Sequence, residues 1–306
     1  MENLSKNTML ELHNQLSIVI PAFNEESSIA DVVNGLRTQF PTSEIIVVND
    51  GSSDATAEIA SSLNCVLATH RVNRGYGASW KTGIRTSTKK YVSFFDGDGQ
   101  FKPIDLEKAL VTMIETRSDL ISGARQIGSS SPLARKPGKL ILHWLANFLA
   151  RQPIPDANCG LRIFKRARIS QYVDLLPDGF SASMTSLLLF LKLGLVVKFF
   201  PIIVSARKGK SSVKQIRDGF GTILLMTRLI SLFDPLRIFL PPALAMILFS
   251  ITYSLYEALS KGLGVPVLGA VLFIGGVLCF FLGIVCDQVS ALRLERFGNT
   301  LITADD

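Results

Sequence analysis

Read from the amino end, the chain alternates short apolar runs with longer segments whose apolar positions recur every three or four residues. LSIVIPAF (16–23), EIIVVND (44–50), CVLATH (65–70) and YVSFFD (91–96) are β-branched or aromatic runs of strand length, each giving way to polar residues. Between them, SSIADVVNGLRTQF has apolar residues at helical spacing with serines where an N-cap belongs, and GSSDATAEIASSL reads as a turn and helix. NRGYGASWKTGIRTS opens a Gly-rich loop into a third helix. Strands alternating with helices in this way predict βαβ units and a mainly parallel sheet covered on both faces. Sheets of this kind bind ligands at the carboxyl ends of their strands. There the first, second and fourth runs place Asn24-Glu25, Asn49-Asp50 and Asp96-Gly97-Asp98.

Further along, the pattern changes. KLILHWLANFLA (139–150) and RDGFGTILLMTRLISLF (217–233) read as amphipathic helices, and the second leads directly into two long apolar stretches at 238–259 and 265–286. Each stretch has the ~20 residues that a helix needs to cross a hydrocarbon core of ~30 Å. Only SKGLG separates them, and Glu257 and Asp287 stand at their ends rather than their middles. The predicted organisation is an α/β domain over 1–215, an amphipathic interfacial helix over 216–237, transmembrane helices at 238–259 and 265–286, and a tail over 287–306. The alternative for the apolar pair is a helical hairpin buried in a soluble protein.

Charge gives the pair a direction. Nearly all Lys and Arg precede the first stretch, Arg293 and Arg296 follow the second, and the turn carries Lys261 alone. The positive-inside bias therefore predicts an integral membrane protein with its large domain and tail on the cytoplasmic face. No basic segment followed by an apolar core precedes Leu16, so no signal peptide is expected. A net charge of +7 over 306 residues suits a domain lying against anionic lipid and handling phosphorylated ligands. No aromatic-and-basic motif supports nucleic acid as the partner. Cysteines at 65, 159, 279 and 286 are scattered, which indicates neither a disulfide framework nor a zinc site.

The sharpest chemistry lies in DGDGQ (96–100). Two carboxylates at the mouth of a buried strand cost several kcal/mol unless something positive meets them. Magnesium or manganese suits oxygen ligands and commonly shares its shell with substrate phosphates. Asp96 and Asp98, one residue apart on extended chain, would point to opposite faces. The flanking glycines let the backbone turn, so that one aspartate takes the metal while the other meets a sugar or a supporting partner, and Gln100 adds a neutral oxygen. No G-x-G-x-x-G follows the first strand and no G-x-x-x-x-G-K-[ST] occurs, which leaves a metal as the main means of holding a diphosphate. His13, His70 and His143 stand apart from the carboxylate motifs in the sequence, so a site without a His-centred base is expected.

PAFNEE, VVNDGSSDAT, NRGYGAS and DGDGQFKP, in this order, resemble the family-2 inverting glycosyltransferases with the GT-A nucleotide-sugar fold. SGARQIGSSSPLARKPGKLI and PDANCGLRIFKR are similar to the branch of polyprenyl-phosphate sugar synthases that includes dolichol-phosphate mannose synthase, and the likeness covers about residues 16–215. The resemblance implies that Pro21, Phe23, Glu25 and Gly97 bind the nucleotide sugar, with Val48 and Asp50 at the base. It implies that Asp96, Asp98 and Gln100 are catalytic and bind Mg²⁺ or Mn²⁺ with the donor diphosphate. Arg125, also catalytic, and Arg135 would receive the lipid phosphate, with hydrogen bonds from Ser129 and Ser131. Arg207 and Lys210 are the candidates for gripping the diphosphate, although SARKGKSSVK departs from the branch's R-x-x-G-x-S-K. Phe101-Lys102-Pro103 likewise replaces its His-Pro-Pro.

The implied reaction moves a sugar from a GDP-mannose or UDP-glucose type of donor to dolichyl or undecaprenyl phosphate, in a protein that can self-associate through its hairpin. Two rivals remain in view. A processive polysaccharide synthase would carry Q-x-x-R-W, but Trp80 and Trp144 do not sit in that pattern. A non-catalytic membrane scaffold would have no need of intact Asp50, Asp96, Asp98 and Arg125.

Overall fold

The structure, a computed structural model, describes residues 5–126, 147–148, 150, 152–204, 233–262 and 264–298. The chain divides into two compact units, Met1–Gly219 and Phe220–Asp306.

In the first unit α1 (Lys6–Asn14), capped by Ser5 through a bond from the Thr8 amide at 3.2 Å, leads into β1 (Leu16–Ala22). All seven residues of β1 are buried, as an apolar run covered on both faces requires. The chain then runs through α2 (Ile29–Gln39), β2 (Glu44–Asn49), α3 (Thr56–Ser61), β3 (Val66–Thr69), α4 (Tyr76–Thr86), β4 (Tyr91–Phe94), α5 (Pro103–Glu115) and β5 (Leu120–Arg125). After β6 (Arg162–Lys165) come α6 (Arg166–Gln171), a 3₁₀ turn at Val173–Leu175, α7 (Ala182–Lys192) and β7 (Val197–Ile202). The expected strands are present, each slightly shorter than its apolar run.

The seven strands form one sheet in the order β3-β2-β1-β4-β6-β5-β7. Every pairing is parallel except those of β6, which runs antiparallel to β4 and to β5. An antiparallel strand begins where its parallel neighbour ends, and Arg162 pairs with Phe94. The residues leading into β6 are thereby delivered to the carboxyl edge of β4. Ile18 and Ile20 of β1, Leu36 of α2 and Leu106 and Leu110 of α5 share one buried cluster. Toward α4, Gly83 lies so close to β1 that a Cβ there would stand 2.2 Å from Val19 Cγ1. Trp80 of α4 is fully buried and stacks on Phe94 with ring centroids 3.7 Å apart. Truncating such a side chain to alanine typically costs ~3–5 kcal/mol.

In the second unit α8 (Pro235–Lys261) and α9 (Val267–Gly298) pack as a hairpin around the turn ending at Pro266. Pro235–Ser260 and Val267–Arg293 are long and apolar enough to cross a membrane, and only 11% and 17% of their most apolar windows are buried. A helix hidden inside a soluble protein would be mostly covered. These present Leu248, Leu255, Leu278 and Leu292 outward. Both helices extend beyond the apolar runs, and the first part of the expected tail continues α9 as far as Gly298. The interfacial helix expected over 216–237 and the amphipathic 139–150 segment lie largely outside the described residues.

Candidate active site

A cleft of about 680 Å³ opens at the carboxyl edge of the sheet. Its lining includes Pro21, Phe23, Glu25, Asp50, Asp96, Gly97, Asp98 and Gln100, so eight of the sequence candidates share one space. The loops that carry them are stitched together. Asn24, at φ 56°, donates its amide to Ser52 Oγ at 3.0 Å and accepts from the Ser53 amide at 2.9 Å. The Glu25 amide donates to Thr56 Oγ1 at 2.8 Å. Asp54 accepts from the Thr56 amide at the start of α3. Burial pushes the Asp54 carboxyl up, yet the bonds from Thr56 outweigh it and leave the carboxyl below its ordinary range. The second aspartate of NDGSSD is thus a helix-start residue. Ser28, at the expected N-cap of α2, makes no cap bond; its hydroxyl donates to the Gly97 carbonyl at 2.7 Å and ties that helix to the carboxylate loop.

Asp50 follows β2 and is buried. Its Oδ1 accepts from the Arg74 amide at 2.9 Å and its Oδ2 from the Gly75 amide at 2.8 Å. His70 Nδ1 lies 2.6 Å from Oδ1, and His70 Nε2 faces Thr82 Oγ1 at 2.8 Å. His70, apart from the carboxylate motifs in the sequence, thus stands beside Asp50 in space, although it is not among the residues lining the cleft. Asn49 and Thr69 are partners in the β2–β3 register, so the residues after them, Asp50 and His70, emerge side by side. That register was the signal available.

Asp96 and Asp98 sit in the turn after β4. The Tyr76 hydroxyl donates to Asp96 Oδ1 at 2.7 Å, and Asp98 Oδ1 accepts from the Gln100 amide at 3.1 Å. Burial first, and then the Asp96 charge, pushes the Tyr76 phenol well above its ordinary pKa, which keeps it a donor. Among the described residues no three His, Cys, Asp or Glu side chains gather into a cage. Two carboxylates and an amide oxygen in one cleft nevertheless fit Mg²⁺ or Mn²⁺, which typically take one or two carboxylates and complete the shell with water and phosphate oxygens.

Arg125, at the end of β5, grips Asp156 and does not line the cleft. Beside them Cys159 is wholly buried, and burial followed by the Asp156 charge pushes its thiol up to about 12. Arg162 is also fully buried, and burial lowers its pKa to about 10. Its guanidinium donates to the carbonyls of Ala157, Cys159 and Ser183 and to Ser186 Oγ, joining the 157–160 turn to α7. Val48 is wholly buried in β2 opposite Pro21 and is not among the residues lining the cleft. Ser129, Ser131, Arg135, Arg207 and Lys210 lie outside the described residues. The cleft also includes Asn73, Tyr76, Asn158, Gly160, Phe180 and Ser183, to which the sequence reading gave no role. Asn73 and Tyr76 were visible in NRGYGAS; Asn158, Gly160, Phe180 and Ser183 come from segments that the reversed strand and α7 bring here.

The geometry has counterparts. Residues 17–172 match Glycosyl transferase family 2, and residues 234–292 match the GtrB C-terminal hairpin. The UDP-N-acetylglucosamine–dolichyl-phosphate N-acetylglucosaminyltransferase of Methanococcus voltae is 30% identical over 176 residues, covering 50% of this chain and 70% of that protein. The dolichyl-phosphate beta-glucosyltransferase of Dictyostelium discoideum is 32% identical over 177 residues, 49% of this chain and 54% of that one. Glucosyl-3-phosphoglycerate synthase from Mycobacterium tuberculosis, solved with Mn²⁺, UDP and phosphoglyceric acid, superposes with a TM-score of 0.59 at 20% identity over 76% of this chain and 83% of that one. The fold is accordingly GT-A, followed by two candidate membrane helices. By its motifs, its sheet and these matches, the chain belongs to glycosyl transferase family 2, a family of glycosyltransferases.

Proposed function

We propose that this protein transfers one sugar, with inversion, from a nucleotide diphosphosugar to the phosphate of a polyprenyl lipid. The observation that carries the reading is the convergence of Asp96, Asp98 and Gln100 with Pro21, Glu25 and Asp50 in one cleft, in a chain that ends in two apolar helices. The named relatives, which act on dolichyl phosphate, support it.

In this reading Pro21, Phe23, Glu25 and Asp50 hold the nucleotide, and Asp96, Asp98 and Gln100 would hold Mg²⁺ or Mn²⁺. A divalent cation held by these residues would supply positive charge against that growing on the leaving diphosphate. Arg207 and Lys210 reinforce that grip. The bond from the sugar C1 to the diphosphate oxygen breaks as a lipid phosphate oxygen bonds to C1 from the opposite face. The lipid phosphate is already an anion at neutral pH, so no proton has to be removed from it, and orientation is the chief requirement. Arg125, aligned by Asp156, serves that orientation with Arg135, Ser129 and Ser131. The hairpin holds the domain at the cytoplasmic face of the membrane, and its exposed apolar faces leave room for self-association.

The test is purified full-length protein in lipid vesicles, supplied with Mn²⁺ and with GDP-mannose, UDP-glucose or UDP-N-acetylglucosamine in turn. Nucleotide release that depends on added polyprenyl phosphate, with one sugar on the lipid, is expected. Products of many sugars would replace the reading with a processive synthase, and no release with any donor would leave a scaffold.

A further inference from the structure

Asp96 is held from two sides. The Tyr76 hydroxyl donates to Oδ1 at 2.7 Å. Opposite, Gly160 approaches so closely that a Cβ there would stand 2.3 Å from Oδ2 and 2.8 Å from the carboxyl carbon. Any side chain at 160 would drive the carboxylate out of its place.

Tyr76 is itself immobilised. Its ring stacks on Phe180, with centroids 5.4 Å apart and planes 15° apart, and tilts against Trp80 at 5.6 Å. Trp80 stacks on Phe94, the last residue of the strand that delivers Asp96. The backbone around the ring is equally confined. Gly75 has φ 105°, and a Cβ there would stand 2.5 Å from the Asp178 carbonyl oxygen; one at Gly77 would stand 2.0 Å from that of Pro177. The Ala78 amide donates to the same Asp178 carbonyl at 3.0 Å. The first turn of α4 is therefore seated on the 177–179 segment with the phenol aimed at Asp96.

We infer that Tyr76 and Gly160 form a clamp that fixes the rotamer of Asp96, making Tyr76 a positioning residue for the divalent cation and the donor diphosphate. The inference rests on the proposed reading of the cleft as a metal and nucleotide-sugar site, and adds to it two residues of the cleft wall that hold Asp96. A carboxylate that must stop rotating in order to bind a cation loses side-chain entropy at that moment. One that is already fixed does not. Partners that hold a ligating group from behind typically change metal affinity or activity by 10- to 100-fold when removed.

The experiment is Tyr76→Phe in the full chain, which keeps the ring stack and deletes only the hydroxyl. Mn²⁺ binding in the presence of UDP is followed by the paramagnetic resonance of free Mn²⁺, and thermal melting is measured without metal. Expected are a loss of Mn²⁺ affinity of about 10-fold or more, melting close to that of wild type, and a transfer rate that recovers toward wild type at saturating Mn²⁺. Unchanged Mn²⁺ affinity in the variant, with wild type binding normally, overturns the clamp alone. Wild type that binds no Mn²⁺ overturns the metal site and the clamp together.

Discussion

Arg125 meets Asp156 side by side, Nε to Oδ2 at 2.6 Å and Nη2 to Oδ1 at 3.0 Å. The Asp156 side chain is 7% exposed and that of Arg125 25%. Burial pushes the Asp156 carboxyl up, but the hydrogen bonds and charge of Arg125 more than reverse this and hold it below its ordinary 3.8. Two N–H groups of the fork are thus occupied within the protein, which fixes the direction in which the rest of the guanidinium can point.

Removing Arg125 leaves Asp156 buried without its cation, a loss that typically costs ~3 kcal/mol or more. Arg125→Ala should melt well below wild type, and Arg125→Ala with Asp156→Ala should recover part of the loss, with a coupling of about 1 kcal/mol or more. The pH dependence has a definite sign. A carboxyl depressed in the folded state contributes stability above its unfolded pKa and loses it as pH falls through the folded value. The gap in melting temperature between wild type and Asp156→Asn should be full above pH 5 and close below about pH 3.8.

Asp98 is buried in the cleft and turned by its bond with the Gln100 amide. Asp98→Ala should lower transfer by about 100-fold or more, the scale seen when a group stabilising transition-state charge is deleted. EDTA should do the same to wild type, with recovery on adding Mg²⁺ or Mn²⁺. Full activity of wild type in chelator would contradict the metal site.

Among the described residues, His70 meets the cleft lining at Asp50. A hydrogen bond to a charged group contributes roughly 1.5–3 kcal/mol. Asp50 keeps the Arg74 and Gly75 amides, so His70→Ala should weaken UDP or GDP binding by about 10-fold, corresponding to ~1.4 kcal/mol. Calorimetry on His70→Ala and on Thr82→Val should show the same direction, smaller for Thr82. Equal affinity in all three proteins would mean that the two amides suffice.

Gly276 of α9 faces α8 at a distance that admits no side chain: a Cβ there would stand 2.7 Å from Ile247 Cγ1 and 3.0 Å from the Ala243 carbonyl oxygen. Small residues at such contacts let membrane helices approach closely. Gly276→Leu should destabilise the hairpin by about 1–3 kcal/mol through overpacking. Leu278→Ile, on an exposed position of the same helix, should be neutral. Melting of the two variants in detergent distinguishes them.

The strand–helix alternation, the carboxylates at strand ends and the apolar hairpin were legible in the sequence because each is a local pattern. Residue type and periodicity over 5 to 20 positions suffice to read them. The direction of β6 is not local. Whether RIFK runs with or against its neighbours depends on pairing with β4 and β5, and nothing within those four residues distinguishes the two. That choice put Gly160 against Asp96 and Asp156 beside Arg125. Burial within a continuous apolar run is equally silent in sequence, which is why Val48 and Pro21, register partners, differ: Val48 is sealed in the sheet, while Pro21, though buried, is among the residues lining the cleft. His70 and Asp50, 20 positions apart, meet because parallel strands end together. Sequence fixes which groups a chain can offer to a site; long-range strand pairing decides which of them arrive within hydrogen-bonding distance, because only there are the contacts made by residues distant along the chain.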